Sequence, residues 1–148
     1  MKALLFPLFL ASATMHARLA DTPEQLDARY GQPRNVENTD DPRLSFREYQ
    51  VKGFNILVSV LDGKSQAEIF TKSFATRWID GEMKAILSAN AFGMRWVEEE
   101  QTGAIRSWRL GNAALASFRL DEPPAFAVFS RQMYELQRKQ EAERLKEP

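Results

Sequence analysis

A chain of 148 residues has room for one domain, and its 44% hydrophobic and 27% charged residues are ordinary for a protein that buries a core. Twenty acidic side chains balance twenty basic ones; with the first twenty residues set aside, and Lys2 and Arg18 with them, the acids lead by two, which excludes a strong pull on nucleic acid or anionic lipid. There is no cysteine, so disulfides, thiolate metal sites, a cysteine nucleophile and a lipidated cysteine anchor are excluded too.

The chain opens with Met1-Lys2, one positive charge, then the apolar run Ala3-Leu4-Leu5-Phe6-Pro7-Leu8-Phe9-Leu10-Ala11. Small residues follow. Ala11-Ser12-Ala13 has the A-x-A form, and Ala17 and Ala20 are alternative last residues of a cleaved leader. Residues 1–20 therefore read as a signal peptide. The apolar run is well short of the ~20 residues that a spanning helix needs, and no later segment is long or apolar enough to span either.

The stretch Thr22-Pro23-Glu24-Gln25-Leu26-Asp27-Ala28-Arg29-Tyr30-Gly31-Gln32-Pro33 predicts a helix with both ends marked. Thr22 and Gln25 make a capping box, Pro23 suits the first helical position, Gly31 can end the helix with positive φ, and Pro33 prevents a restart. Arg34 to Arg43, rich in Asn, Asp and Pro, predicts a loop.

Three strands are expected next: Ser45–Val51, Phe54–Leu61 and Gln66–Lys72, turned at Lys52-Gly53 and Asp62-Gly63. A two-residue turn at Asp62-Gly63 pairs Leu61 with Lys64. It then places Val58 opposite Ala67 and Ile56 opposite Ile69. The turn at Lys52-Gly53 places Tyr49 opposite Ile56. Tyr49, Ile56 and Ile69 should form one apolar row, with Phe54 and Val58 on the same face.

Ser73–Ile79, which contains Trp78, is a connection. Asp80 is expected to cap a second helix running to about Ala91, with Met83, Ile86, Leu87 and Ala91 on one face and Gly93 as its stop. Met94–Glu100 predicts a strand turned at Gln101-Thr102-Gly103, pairing Glu100 with Ala104, Glu98 with Arg106 and Trp96 with Trp108. Ala104–Leu110, Ala113–Leu120 and Ala125–Ser130 are further strands. Arg131–Lys146 is a final helix, docked by Met133, Tyr134 and Leu136 and otherwise charged.

The fold class expected is α+β. It is an antiparallel meander of about seven strands in two helix-plus-strands halves, residues 21–73 and 80–130, with helices on one face. Residues 131–148 form a charged C-terminal helix.

The T-P-E-Q-L-D-A-R-Y-G-Q-P opening behind an export signal, then F-R-E-Y-Q-V-K-G-F-N-I-L-V-S-V-L-D-G-K and I-L-S-A-N-A-F-G-M-R-W, resembles small secreted uncharacterised proteins of bacteria such as the Verrucomicrobia. The resemblance covers Ala17 to about Phe118 and implies compartment and size. More distantly, a helix ending in Y-G-x-P before a meander is similar to the SmpA/OmlA (BamE-like) outer-membrane assembly lipoproteins and to the β-lactamase inhibitor protein. That likeness implies a sheet with helices on one face, used for protein contacts. The lipidated cysteine of the lipoproteins has no counterpart here.

The one histidine is His16, within the leader, so a trimmed chain has neither imidazole nor thiol. Ser-His-Asp and Cys-His catalysis and His-ligated zinc or copper are then unavailable. No phosphate-binding glycine motif is present. Glu98-Glu99-Glu100 alternate faces in a strand and do not converge as a carboxylate pair. Asp40-Asp41 with Asn38 does not have calcium-loop spacing.

Trp96 and Trp108, with Arg95, Arg106 and Arg109 nearby, are the pattern that could form an interaction surface. The competing expectation is a Trp pair packed against the second helix with the arginines at its rim. No catalytic residue, cofactor or metal site is assigned. The sequence thus leads to a non-catalytic interaction or accessory protein of the bacterial envelope, periplasmic or secreted, with an envelope protein as partner and no nucleic acid. The alternative is a small-ligand-binding protein or a carboxylate-based hydrolase outside the cytoplasm, marked by a pocket near Pro33–Pro42 with two converging acids.

Overall fold

The computed structural model describes residues 18–73, 77–121 and 123–147. All but the last three residues of the expected leader lie outside this range.

The first helix, α1 (Pro23–Tyr30), starts and stops as its sequence dictates. Thr22 Oγ1 accepts from the Gln25 N–H at 3.3 Å, and Gln25 Oε1 accepts from the Thr22 N–H at 2.9 Å. Gly31 follows with φ of +85°, and its N–H caps the Asp27 carbonyl. Leu26 and Tyr30 are the residues of α1 that reach the core.

A strand not expected from sequence follows, β1 (Asn35–Asn38), which occupies part of the predicted loop. It is an outer strand with all four residues exposed, so neither face gave an apolar signal. The hairpin run is β2 (Leu44–Val51), β3 (Phe54–Leu61) and β4 (Lys64–Lys72), and α2 (Asp80–Ala89) begins the second half. Ile79, not Asp80, is the residue that precedes α2; the Glu82 carboxylate takes its N–H at 2.9 Å, and Asp80 is the first helical residue, favourable there for the helix dipole. Then come β5 (Val97–Glu98), β6 (Ile105–Leu110), β7 (Ala114–Arg119), β8 (Ala125–Ser130) and α3 (Arg131–Arg144).

The fold is α+β with one antiparallel sheet of eight strands, not seven, in the order β1-β2-β3-β4-β8-β7-β6-β5. Each half is a helix followed by a four-strand meander. The halves meet at their last strands, β4 and β8, which lie in the middle of the sheet. The core lies between the sheet and the first two helices: Tyr49, Phe54, Ile56, Val58, Phe70, Trp108, Phe118, Phe126 and Val128 from strands meet Leu26 and Tyr30 of α1 and Met83, Ile86 and Leu87 of α2. A smaller cluster of Leu61, Ala67 and Met133, with Phe129 and Leu136 against it, seats α3 on the other face.

Two predicted registers need correction. The turns at Lys52-Gly53 and Asp62-Gly63 form as expected, and Tyr49 faces Ile56 and Leu61 faces Lys64. Beyond Ser65, however, β4 carries a bulge. Val60 faces Ser65 but Ser59 faces Ala67, so Gln66 has no residue opposite it. Val58 therefore faces Glu68 rather than Ala67, and Ile56 faces Phe70 rather than Ile69. The apolar row is Tyr49, Ile56 and Phe70, Ile69 turns to the other face, and Glu68 turns inward. In the second half, β5 is confined to Val97 and Glu98, which face Arg109 and Trp108. Glu98 and Arg106, and Trp96 and Trp108, are therefore not directly opposite one another in the ladder as expected, although the Glu98 and Arg106 side chains still meet as an ion pair. Trp96 leaves the ladder and gives its indole N–H to the Leu87 carbonyl of α2 at 2.7 Å.

Phe126 sits at the centre of the aromatic packing, fully buried, with ring centroids 5.5 Å from Trp108, 6.0 Å from Trp78 and 6.4 Å from Phe118. Phe126→Ala should cost about 3–5 kcal/mol in urea unfolding. A loss below about 1 kcal/mol would mean that this cluster collapses to fill the gap.

Candidate functional site

The most unusual chemistry in the fold follows from the Gln66 bulge. Glu68 is fully buried in the middle of the sheet, between Val58 on β3 and Val128 on β8. Its Oε2 accepts from the Tyr30 hydroxyl of α1 at 3.0 Å. One residue before Tyr30, Arg29 pairs with buried Asp21 at 2.6 Å. The cluster thus holds two acids, one guanidinium and one phenol at the junction of α1, β4 and the residues ahead of α1.

Burial is the largest influence on Glu68 and pushes its carboxyl up to about 7; Asp21 adds to the rise, while the Tyr30 hydroxyl, Arg29 and the Arg18 backbone N–H oppose it. Burial likewise raises Tyr30, and the neighbouring Glu68 carboxylate adds to this, so the phenol stays protonated and donates. Asp21 is raised as well, again through burial, against the pull of Arg29. The group can hold a proton at neutral pH, but Glu68 has no solvent exposure through which to pass it to a substrate.

A second polar network fastens α1 to β2. Burial favours protonation of Asp27, yet hydrogen bonds from Tyr49 and Arg47 outweigh it and hold the carboxyl below its ordinary value. The Tyr49 hydroxyl lies 2.7 Å and the Arg47 guanidinium 2.9 Å from Asp27 Oδ1.

The five residues of the expected interaction surface do not share one face. Trp108 is buried in the main core, with the Arg106 guanidinium stacked 5.1 Å over its ring. Trp96 is half-buried against the same core. Arg95 is exposed. Arg106 pairs with Glu98 at 2.9 Å. Arg109 projects from the opposite face, pairs with Glu99 at 2.8 Å, and borders a cavity of about 180 Å³ with Arg131, Tyr134 and Arg138. Trp96 is thus tied to α2, while Trp108 packs on Phe126 of β8 with Arg106 stacked on it.

The accessible feature is on the sheet face away from α1 and α2. A groove of about 480 Å³ is lined there by Arg34, Glu48, Asn55, Leu57, Ile69 and Thr71. Leu57 and Ile69 face each other across β3 and β4 and are half-buried. Around them runs a polar rim: Arg34 donates to Gln50 at 3.2 Å, and the Ser73 hydroxyl lies 3.4 Å from Asn55 Oδ1. Arg34 is the residue of the Pro33–Pro42 segment in this lining, and Glu48 is its acid, where a pocket between the sheet and that segment was expected to hold two converging acids. Asp41 is paired with Arg43 at 2.9 Å. Among the described residues, no three His, Cys, Asp or Glu side chains are grouped to hold a metal ion, and no helix is long and apolar enough to cross a membrane.

Sequence reasoning missed Glu68. The one signal was a lone acid between Ala67 and Ile69 in the apolar middle of β4, next to the adjacent pair Ile69-Phe70, either of which could have faced inward.

No protein-family model and no curated protein sequence matches this chain. Among solved structures it is similar to a cysteine-rich secretory protein from Staphylococcus aureus, with 10% identity and a TM-score of 0.48 over 78% of this chain. It spans about 45% of that structure's length.

A carboxyl raised by burial makes stability depend on pH in a defined direction. Between its ordinary value of 4.5 and about 7 the folded chain keeps the Glu68 proton and the unfolded chain has lost it. Stability from this group is therefore greatest below about pH 4.5, falls as pH rises through that window, and levels off above it. The loss should reach about 3 kcal/mol. Urea unfolding at about pH 5 and about pH 8 measures it. Glu68→Gln should flatten the difference and unfold later than the parent at the higher pH; an unchanged slope would place the titrating group elsewhere. Tyr30→Phe removes the hydroxyl donor and should cost about 1–3 kcal/mol in the same assay.

Proposed function

We propose that this chain is an exported interaction or accessory protein of the bacterial cell envelope, periplasmic or secreted, that works by presenting a surface to another envelope protein. The observation that supports this reading is the groove on the open sheet face. Its half-buried Leu57 and Ile69 are ringed by Arg34, Glu48, Gln50, Asn55 and Thr71, the apolar-centre and polar-rim layout of protein contact patches. The absence of histidine and cysteine after residue 16 weighs the same way. So does the sheet-with-helices likeness to the outer-membrane assembly lipoproteins and the β-lactamase inhibitor protein.

The alternative, a small-ligand-binding protein or a carboxylate-based hydrolase, draws on the same groove, where Arg34 and Glu48 supply opposite charges. A charged small molecule that raises Tm through this groove, with no protein partner captured, would favour it.

The test is mild crosslinking in an envelope fraction, followed by capture of the full chain through a C-terminal tag. One envelope protein should be enriched reproducibly. The paired variant Leu57→Lys with Ile69→Lys should lose it while keeping its circular dichroism spectrum. Capture of no partner, or equal capture by the paired variant, would count against the proposal.

A further inference from the structure

Residues 18–21 form a strap that closes the core ahead of α1. Leu19 is 4% exposed and packs in the main hydrophobic cluster. Its N–H reaches Asn90 Oδ1, at the end of α2, at 2.7 Å, and the Asn90 amide in turn gives a hydrogen to the Ile86 carbonyl at 2.9 Å. The next two residues pair with Ser65, just before the bulge. The Ala20 N–H donates to the Ser65 carbonyl and the Ser65 N–H to the Asp21 carbonyl, each at 2.7 Å. Ser65 Oγ accepts from the Asp21 N–H at 3.0 Å and donates to the Arg18 carbonyl at 3.2 Å. Ala20 adopts φ of +68° to make these bonds, a conformation that a non-glycine residue holds only when its neighbours fix it. The strap therefore ties β4 of the first half to α2 of the second.

This bears on where a leader can be removed. The sequence allows three last residues: Ala13, Ala17 and Ala20. A cut after Ala20 would take away Leu19 and both strap bonds made by Leu19 and Ala20. It would also put Arg18 where a small side chain is required, two residues before the last. A cut after Ala17 would put Met15 there. Only a cut after Ala13 has a small residue, Ala11, at that position. It also leaves Thr14–Ala17 between the severed bond and the strap.

We propose that the chain is processed at the Ala13–Thr14 bond, so that Arg18–Asp21 stay with the mature protein as a working part of its core. This rests on the export reading above. The step is a hydrolysis by a leader-specific envelope protease: one water adds across the amide, leaving the Ala13 carboxylate on the released leader and a free α-amino group on Thr14.

The test is expression of the full chain with its leader in a bacterial host, with fractionation, intact mass and N-terminal sequencing. Two variants accompany the parent. Ala13→Leu removes the small residue at the assigned bond, and Ala20→Asn removes it at the third candidate with a residue that tolerates positive φ. The parent and Ala20→Asn chains should begin at Thr14, and most Ala13→Leu chains should retain the leader. A mature chain that begins at Arg18 or Asp21, or normal processing of Ala13→Leu, would overturn the assigned bond and leave export intact. An uncut parent in the cytosol would overturn the export reading, and the cut with it. Leu19→Ala, in the exported chain, should lower Tm by about 5–10 °C; an unchanged Tm would remove the structural reason for keeping the strap.

Discussion

The pairing of β4 with β8 is the constraint on which the architecture depends. It is the junction at which one meander becomes continuous with the other, from Ala67 opposite Phe129 to Thr71 opposite Ala125. Which side chains of β4 point to the helices is decided by a single unpaired residue, Gln66. One residue more or fewer in a strand exchanges its two faces. With the bulge in place, Phe70 joins Phe126 and Phe118 under Trp78, and Ala67 joins Phe129 under Met133. Both layers of the protein are packed through that one irregularity.

The same irregularity buries an acid. An ionised carboxylate in this position would be costly, because three strands of apolar neighbours surround it and one phenol is its main donor. The protein meets the difficulty by letting the carboxyl keep its proton near neutrality and by holding the Tyr30 hydroxyl against it. The Asp21–Arg29 pair nearby carries the charge instead, at the edge of the cluster. A buried polar contact of this kind adds little to net stability, but it defines how α1 sits on the sheet, since an offset of α1 would leave Glu68 without its hydroxyl.

Much of the fold was legible from local chemistry. The Thr22–Gln25 box, Gly31, and the Lys52-Gly53 and Asp62-Gly63 turns each act within a few residues, and each appears in the structure as its sequence implies. Two kinds of feature were not legible. β1 presents Asn35, Val36, Glu37 and Asn38 to solvent, and its strand character comes wholly from backbone bonds to β2, which leave no trace in side-chain pattern. The bulge was hidden because Ile69 and Phe70 are both apolar, so periodicity permits either face. What decides between them is remote in sequence: Ser65 satisfies residues 18–21, and Tyr30 satisfies Glu68. The placement of the tryptophans was open for a related reason. Residue type alone does not say whether an indole faces solvent or a neighbouring helix, and Leu87 supplies the carbonyl that draws Trp96 in. The groove at Leu57 and Ile69 depended on the corrected register and so could not be located beforehand.

The strand order has a kinetic consequence. β1 to β4 follow one another in sequence through connections of two to five residues, and β5 to β8 through three to six, so each meander can assemble from contacts between near neighbours in the chain. The seam must wait for residues roughly sixty positions apart to meet, which carries the larger loop-closure entropy. Until then β4 and β8 are each the last strand of a half-sheet, with an unpaired edge and an apolar face. Chains caught at that stage could join β4 of one molecule to β8 of another, giving an exchanged dimer with native contacts throughout. The centre of the finished sheet is thus the most vulnerable part of the unfinished one.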